Sequence, residues 1–164
     1  MSETANGAAS GAAAASGPSM RVVAQYLKDH SFENPRAPMS FRDTGGAPGV
    51  DVNVDVNARG IGPNQFEVEL SVSTRARRAE EVVFVVETTY AGVFEIVGVP
   101  DEQVEPLLLV ECPRLLFPFA RQIIAETTSA GNFPAIMLDP IDFYAIYQRN
   151  LAARGEGVSG VTHA

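Results

Sequence analysis

Few side chains in this sequence could do covalent or metal chemistry, and their spacing keeps them apart. His30, Cys112 and His163 are too few and too scattered to make the usual soft-metal sets. His30 falls in a predicted edge strand and His163 in a Gly-rich tail, neither beside a nucleophile. Cys112 precedes Pro113 in an apolar helical stretch, where an inert, packed thiol is expected. Asp139 and Asp142 could pair as acid and base, yet a helix N-terminus accounts for both. Gly60-Ile61-Gly62 lacks the third glycine and the following helix of a phosphate-binding loop, so it reads as a turn. The expectation is no enzyme, no catalytic residue, no metal and no cofactor.

What remains is charge and apolar surface. Twelve basic residues against 20 acidic ones give a net charge of −8, which argues against nucleic-acid binding. Between Arg78 and Arg114 there is no basic residue, while Glu80, Glu81, Glu87, Glu95, Asp101, Glu102, Glu105 and Glu111 all lie there. A solvated face is the plainest account of such a run. With 46% hydrophobic and 20% charged residues, the chain can build a globular core. A single cysteine fits a reducing compartment. Residues 1–19 are dominated by Ala, Gly and Ser, without the basic and aliphatic regions of a signal peptide. No run reaches the roughly 20 apolar residues that span a bilayer. The expected organisation is a disordered tail over 1–19, one domain over 20–152 and a flexible tail over 153–164. A cytoplasmic location without membrane insertion goes with it.

The elements that position these groups follow from periodicity. Val50, Val52, Val54 and Val56 alternate with Asp51, Asn53 and Asp55, as in a half-buried strand. Phe66, Val68, Leu70 and Val72 alternate likewise with Glu67, Glu69 and Ser71. The loop 57–65 between them, with Gly60, Gly62 and Pro63, predicts an antiparallel hairpin. A β-branched, aromatic run over 82–90 predicts a third strand, bulged or bent at Ala91-Gly92 and continuing to Val97. Residues 29–33, closed by Asn34-Pro35, predict a short edge strand. Without an odd slip in facing, Asp29, Glu33, Asp51, Asp55, Glu67, Glu69 and Glu87 share one acidic sheet face opposite the valines.

After Pro100 the apolar density becomes helical. Prolines 106, 113 and 118 should break or kink the stretch, leaving a regular helix over 119–128 that closes at Gly131-Asn132. Asp139 as N-cap and Pro140 at the first position predict a second helix running to about Leu151. The fold class is α+β: a four-stranded antiparallel sheet followed by two helices on one face. These helices carry more apolar surface than one sheet face covers, which predicts self-association.

Three stretches resemble the SecB family of bacterial protein-export chaperones. They are residues 28–38 (KDHSFENPRAP), residues 112–121 (CPRLLFPFAR), and Gly131-Asn132-Phe133-Pro134 leading to residues 138–143 (LDPIDF). Their order and the intervening strand pattern match the family over roughly residues 20–152. The resemblance implies a dimer of dimers, a homotetramer with helices sandwiched between two sheets. It implies an ATP-independent holdase that keeps unfolded secretory precursor proteins translocation-competent and delivers them to the SecA motor. A dedicated single-partner adaptor or toxin-control chaperone of the same fold is the alternative.

The same resemblance assigns residues. The SecA contact falls on Asp29, Glu33, Val85 and Glu87, all odd-numbered and so on the acidic face. Subunit assembly falls on Val86, Thr88 and Tyr90. An aromatic client groove is expected at Tyr26, Phe41, Phe143 and Tyr147. Relatives often carry a tryptophan in the loop after the first strand; here the loop reads Thr44-Gly45-Gly46-Ala47-Pro48-Gly49, which implies a shallower or more flexible groove mouth.

Overall fold

The structure, a computed structural model, describes residues 17–42 and 45–158. Residues 1–16 of the tail expected over 1–19 and the segment 159–164, with His163, lie outside them, while Ser19 already opens a strand. Four long strands form one antiparallel sheet: β1 (Ser19–Glu33), β2 (Gly49–Gly62), β3 (Gln65–Arg78) and β4 (Glu81–Val97). Their order is β1-β4-β3-β2, so β1 and β2 are the edges. A helical arm follows, α1 (Asp101–Pro106) passing through a wide turn (Leu107–Glu111) into α2 (Cys112–Ala130); α3 (Phe143–Val158) comes last.

The alternation holds along β2, β3 and β4, where even positions pair with even ones. Val68, Leu70, Val72, Phe84, Val86 and Phe94 are buried on that side against Leu116, Ala120 and Ile124 of α2. The expected loop over 57–65 shrinks to Pro63-Asn64, because both strands continue almost to the turn. Proline suits the first corner, and Asn64 takes the left-handed conformation (φ 58°) that asparagine tolerates at the second.

Ala91-Gly92 is not a bulge. The β3 ladder runs through it unbroken, Glu69 opposite Ala91 and Val68 opposite Gly92. The glycine instead allows close approach: a Cβ there would lie 2.8 Å from the Phe94 ring and 3.0 Å from Leu116 Cδ2. The irregularities sit near the ends of the other ladders, at Gly60/Gly62 and Ala76/Arg77, and within β1, between Val22 and Ala24 and between Leu27 and Asp29. Each of the two in β1 is one extra residue, Val23 or Lys28, that reverses which of the odd and even positions face the helices. The edge strand is also far longer than residues 29–33, since its partner β4 supplies a full-length ladder.

The prolines do not divide the helical arm into separate helices. Pro106 closes α1, Pro113 falls in the first turn of α2, and Pro118 lies on the exposed side of α2. Between them the Cys112 N–H donates to Leu107 O, five residues back, so the wide turn carries the chain to Pro113, which has no N–H to give. The second helix starts later than expected. Asp142, not Asp139, accepts the Ala145 N–H at 3.0 Å and caps α3. That helix continues to Val158, beyond the boundary expected at 152.

Adding one methyl group at Gly92 tests the α2–β4 contact, since Phe94 and Leu116 are fully buried and have nowhere to retreat. Gly92→Ala should destabilise the fold by about 1–3 kcal/mol, measured by urea denaturation. An unchanged midpoint would mean that the contact has slack.

Candidate functional site

The outer sheet face is open to solvent and carries most of the organised charge. Asp29 and Glu33 of β1 stand opposite Thr89 and Val85 of β4, with Glu87 facing Ser31 between them. Across β3, Asp55 of β2 lies opposite Ser71, which itself pairs with Thr89. The central strands carry small hydroxyl side chains here, and Ser71 and Thr89 share a 3.0 Å hydrogen bond. Asp29, Asp55 and Glu87 therefore rim a shallow basin of about 210 Å³ floored by Ser71, Ser73 and Thr89.

The rest of this face neutralises itself. Glu67, only 6% exposed, accepts hydrogen bonds from the Tyr26 hydroxyl, from Lys28 Nζ at 2.8 Å and from Arg59 Nε at 3.0 Å. Lys28 also pairs with Glu69, and Arg77 approaches Asp51 at 3.9 Å. The Lys28 hydrogen bond first, then those from Tyr26 and Arg59, hold the Glu67 carboxyl far below the usual carboxylate range. The Glu67 carboxylate in turn raises the Tyr26 phenol. A uniformly acidic face is thus corrected: Arg59, Arg75 and Arg77 occupy odd positions beside the acids. Among the described residues, Asp29, Glu33, Asp55 and Glu87 have no ion pair.

The inner face is only partly covered. Val50 and Val52 of β2 are 43% and 45% exposed. Together with Val54 they form one wall of a cleft of about 450 Å³, with Ile136, Met137, Leu138 and Ile141 as the other. A neighbouring, largely apolar cleft of about 350 Å³ shares Val50 and Ile136, and adds Phe84, Phe133 and the Gly45–Pro48 segment. A third, of about 330 Å³, lies between β2, the wide turn and α3, where Tyr147 meets Val56 and Leu108. The thiol of Cys112 is buried against Met20 and pushed up to about 12 by burial and by Glu111, so it is no nucleophile at neutral pH.

A family profile described as "Preprotein translocase subunit SecB" matches residues 13–154. The chain belongs to the SecB family. It is 51% identical to the protein-export protein SecB of Maricaulis maris over 148 residues, 90% of this chain and 86% of that one. It is 54% identical to that of Mesorhizobium japonicum over 135 residues, 82% of this chain and 81% of the relative. A SecB-like chaperone from Mycobacterium tuberculosis, solved with a peptide of the HigA1 antitoxin, shares the fold at a TM-score of 0.63 and 16% identity. That match covers 74% of this chain and 90% of the neighbour. SecB proteins are protein-export chaperones rather than known enzymes, in keeping with the sparse chemistry of the sequence. Among the described residues no helix is long and apolar enough to cross a membrane.

For a SecB-family protein, the expected partner contacts assemble and the expected client groove does not. Asp29, Glu33, Val85 and Glu87 share one patch of the outer face on adjoining strands. Val86 and Thr88 are buried within the protomer, whereas Tyr90 stacks on Phe119 at 5.6 Å. Phe143 is 1% exposed and packs edge-on against Phe117, so it is core. Tyr26 points to the opposite face, because the β1 slips reverse it onto Glu67. Phe41 lies 5.5 Å from Phe133 near the largely apolar cleft, and Tyr147 lines the third. Sequence reasoning missed Val50, Val52, Phe133, Ile136 and Met137. Their signal was present as an apolar alternation and an apolar segment before the second helix.

The Glu67 cluster predicts a pH dependence. Because the folded carboxyl titrates below its ordinary value of 4.5, its stabilisation is complete above that value and is lost as pH falls towards the folded value. Glu67→Gln should cost about 1–2 kcal/mol at pH 7. Denaturant titrations of both proteins should show that gap narrowing as pH is lowered through 4; a constant gap would refute the linkage.

Proposed function

We propose that this chain is an ATP-independent holdase of the cytoplasm. It binds unfolded precursor segments in the apolar clefts beside β2 and docks on the SecA motor through Asp29, Glu33, Val85 and Glu87. The observation that carries this reading is the opposition of the two surfaces. The clefts open on the inner side of the sheet and the uncompensated carboxylates on the outer side, so a client and a motor could occupy one protomer together. Apolar burial favours extended chain without demanding a particular sequence, at roughly 25 cal/mol per Å². Carboxylates without internal partners favour a basic docking surface and speed encounter with it.

Assembly into a dimer of dimers is supported by the other uncovered margin. Val22, Val23 and Leu27 of edge strand β1 are 36–46% exposed, and Leu115 and Phe119 of α2 extend the same kind of surface at 44% and 48%. A fifteen-residue edge with exposed valines invites pairing unless another copy covers it. A second reading, a chaperone dedicated to one partner, draws on the fold neighbour solved with an antitoxin peptide. Binding to several unrelated unfolded chains separates the two, because a dedicated chaperone should prefer one strongly.

The purified protein should suppress aggregation of a denatured precursor without nucleotide; unchanged aggregation at a chaperone excess would sink the holdase reading. Glu87→Lys should weaken SecA binding about tenfold or more while leaving that suppression intact, and rising salt should weaken the wild-type complex. Normal affinity in the variant would remove Glu87 from the docking surface. Sedimentation at micromolar concentration should find a tetramer, and a stable monomer would refute the assembly.

A further inference from the structure

The carboxylate patch of the outer face holds a charge of the opposite sign. Three rows of residues cross all four strands there. Glu33, Val85, Arg75 and Asp51 stand side by side in the first. Ser31, Glu87, Ser73 and Asn53 form the second, and Asp29, Thr89, Ser71 and Asp55 the third. Arg75 is thus the β3 neighbour of Val85 and the diagonal neighbour of Glu87, about 7–8 Å away along the sheet. Other cations of this face are taken up internally. Arg21 pairs with Glu95, Lys28 with Glu67 and Glu69, Arg59 with Glu67, and Arg77, more loosely, with Asp51. Among the described residues, Arg75 is exposed and has neither an ion pair nor a side-chain hydrogen bond. The shallow basin rimmed by Asp29, Asp55 and Glu87 shares Asn53 and Ser73 with a second, of about 370 Å³, walled by Arg75 and Arg77.

We infer that Arg75 sets the specificity of docking: it selects a SecA surface that presents a carboxylate beside the cations meeting Glu33 and Glu87. The inference rests on the docking reading above and gives the partner's chemistry a second sign. Solubility does not account for Arg75, because in a chain of net charge −8 a cation moves the total towards zero. A carboxylate over Arg75 can take two guanidinium N–H groups in a fork, which fixes direction as well as strength. The negative and positive basins lie side by side, so a partner carrying both charges docks one way round; reversal sets like against like. An unbroken acidic patch would accept any cationic chain. A protein that holds unfolded segments meets many of these, and an arginine among the carboxylates turns them away while the right partner gains from it.

The test lies in the sign of the effect. If SecA offered only cations, Arg75→Glu would add attraction and tighten binding; if it offers a carboxylate, the same change weakens it. SecA affinity of the full-length protein should fall about tenfold or more in Arg75→Glu. Arg75→Gln, which cannot pair with Arg77, should lose about threefold or more. An amidated oligolysine peptide has no carboxylate, so it should bind Arg75→Glu about threefold or more tightly than it binds wild type. That gain would also show the variant folded with its patch in place. Unchanged or tighter SecA binding in either variant overturns the inference. Weaker oligolysine binding by Arg75→Glu does so too, since the effect would then lie in the fold. Wild-type SecA affinity in Glu87→Lys would instead remove the docking reading, and the inference with it.

Discussion

The rest of the molecule depends on where one helix rests on the sheet. Four strands at about 4.8 Å spacing place the outer strand axes roughly 14 Å apart, wider than the 10–12 Å cross-section of a single helix. Gly92 lets α2 settle onto β4, and α2 packs over β4 and β3. Both edge strands therefore keep apolar side chains in solvent, Val22, Val23 and Leu27 on β1 and Val50 and Val52 on β2. One packing decision creates two uncovered margins. They differ in what stands beside them: the β2 margin is backed by the segment 133–141 and forms clefts, while the β1 margin is a long strand edge next to exposed residues of α2.

The outer face is organised by a different rule. Across its centre β3 and β4 carry small residues, Ser71, Ser73, Thr89 and Ala91, so longer side chains from the edge strands can lie over them. Tyr26 and Lys28 use this to reach across β4 to Glu67, and Arg59 reaches the same carboxylate from β2. The result ties both edge strands to β3 and removes the charges of Glu67 and Glu69 from any external field. Among the described residues, negative charge without an ion pair is left at the other end of the face, around Asp29, Glu33, Asp55 and Glu87. In a chain of net charge −8, the pairing rather than the number of carboxylates defines that patch.

Much of this was legible in the sequence. Period-two alternation in 50–56 and 66–72 identified the hairpin and its buried face, and the odd positions of Asp29, Glu33, Val85 and Glu87 put them together on the outer side. What failed did so for local reasons. The β1 slips at Val22/Ala24 and Leu27/Asp29 involve no glycine or proline, so nothing marked them, and Tyr26, expected in the client groove, lies on the outer face against Glu67. The Ala91-Gly92 pair looked like a bulge because small residues signal either a break in the ladder or a close approach, and only the helix position decides which. The second helix waited for Asp142 because the cap goes to whichever side chain meets a free N–H. The clefts were hardest: the valines of β2 are as apolar as those of β3, and which set stays uncovered depends on how narrow the helical layer is.

The two slips in β1 cancel. Met20 and Val22 face the helices at one end, His30 and Phe32 at the other, and the stretch from Ala24 to Leu27 runs with inverted parity between them. Parity makes the strand an arithmetic object as much as a physical one. Loss of the extra residue at either slip, Val23 or Lys28, would leave every remaining pair in step with β4 and every other side chain on its present face, because β4 runs past both places without a skip. A residue lost elsewhere would turn over the side chains between the gap and the slip that absorbs it. Viable losses in this strand should therefore fall at the slips, each usable alone, and at Lys28 only with the ion pairs to Glu67 and Glu69 given up.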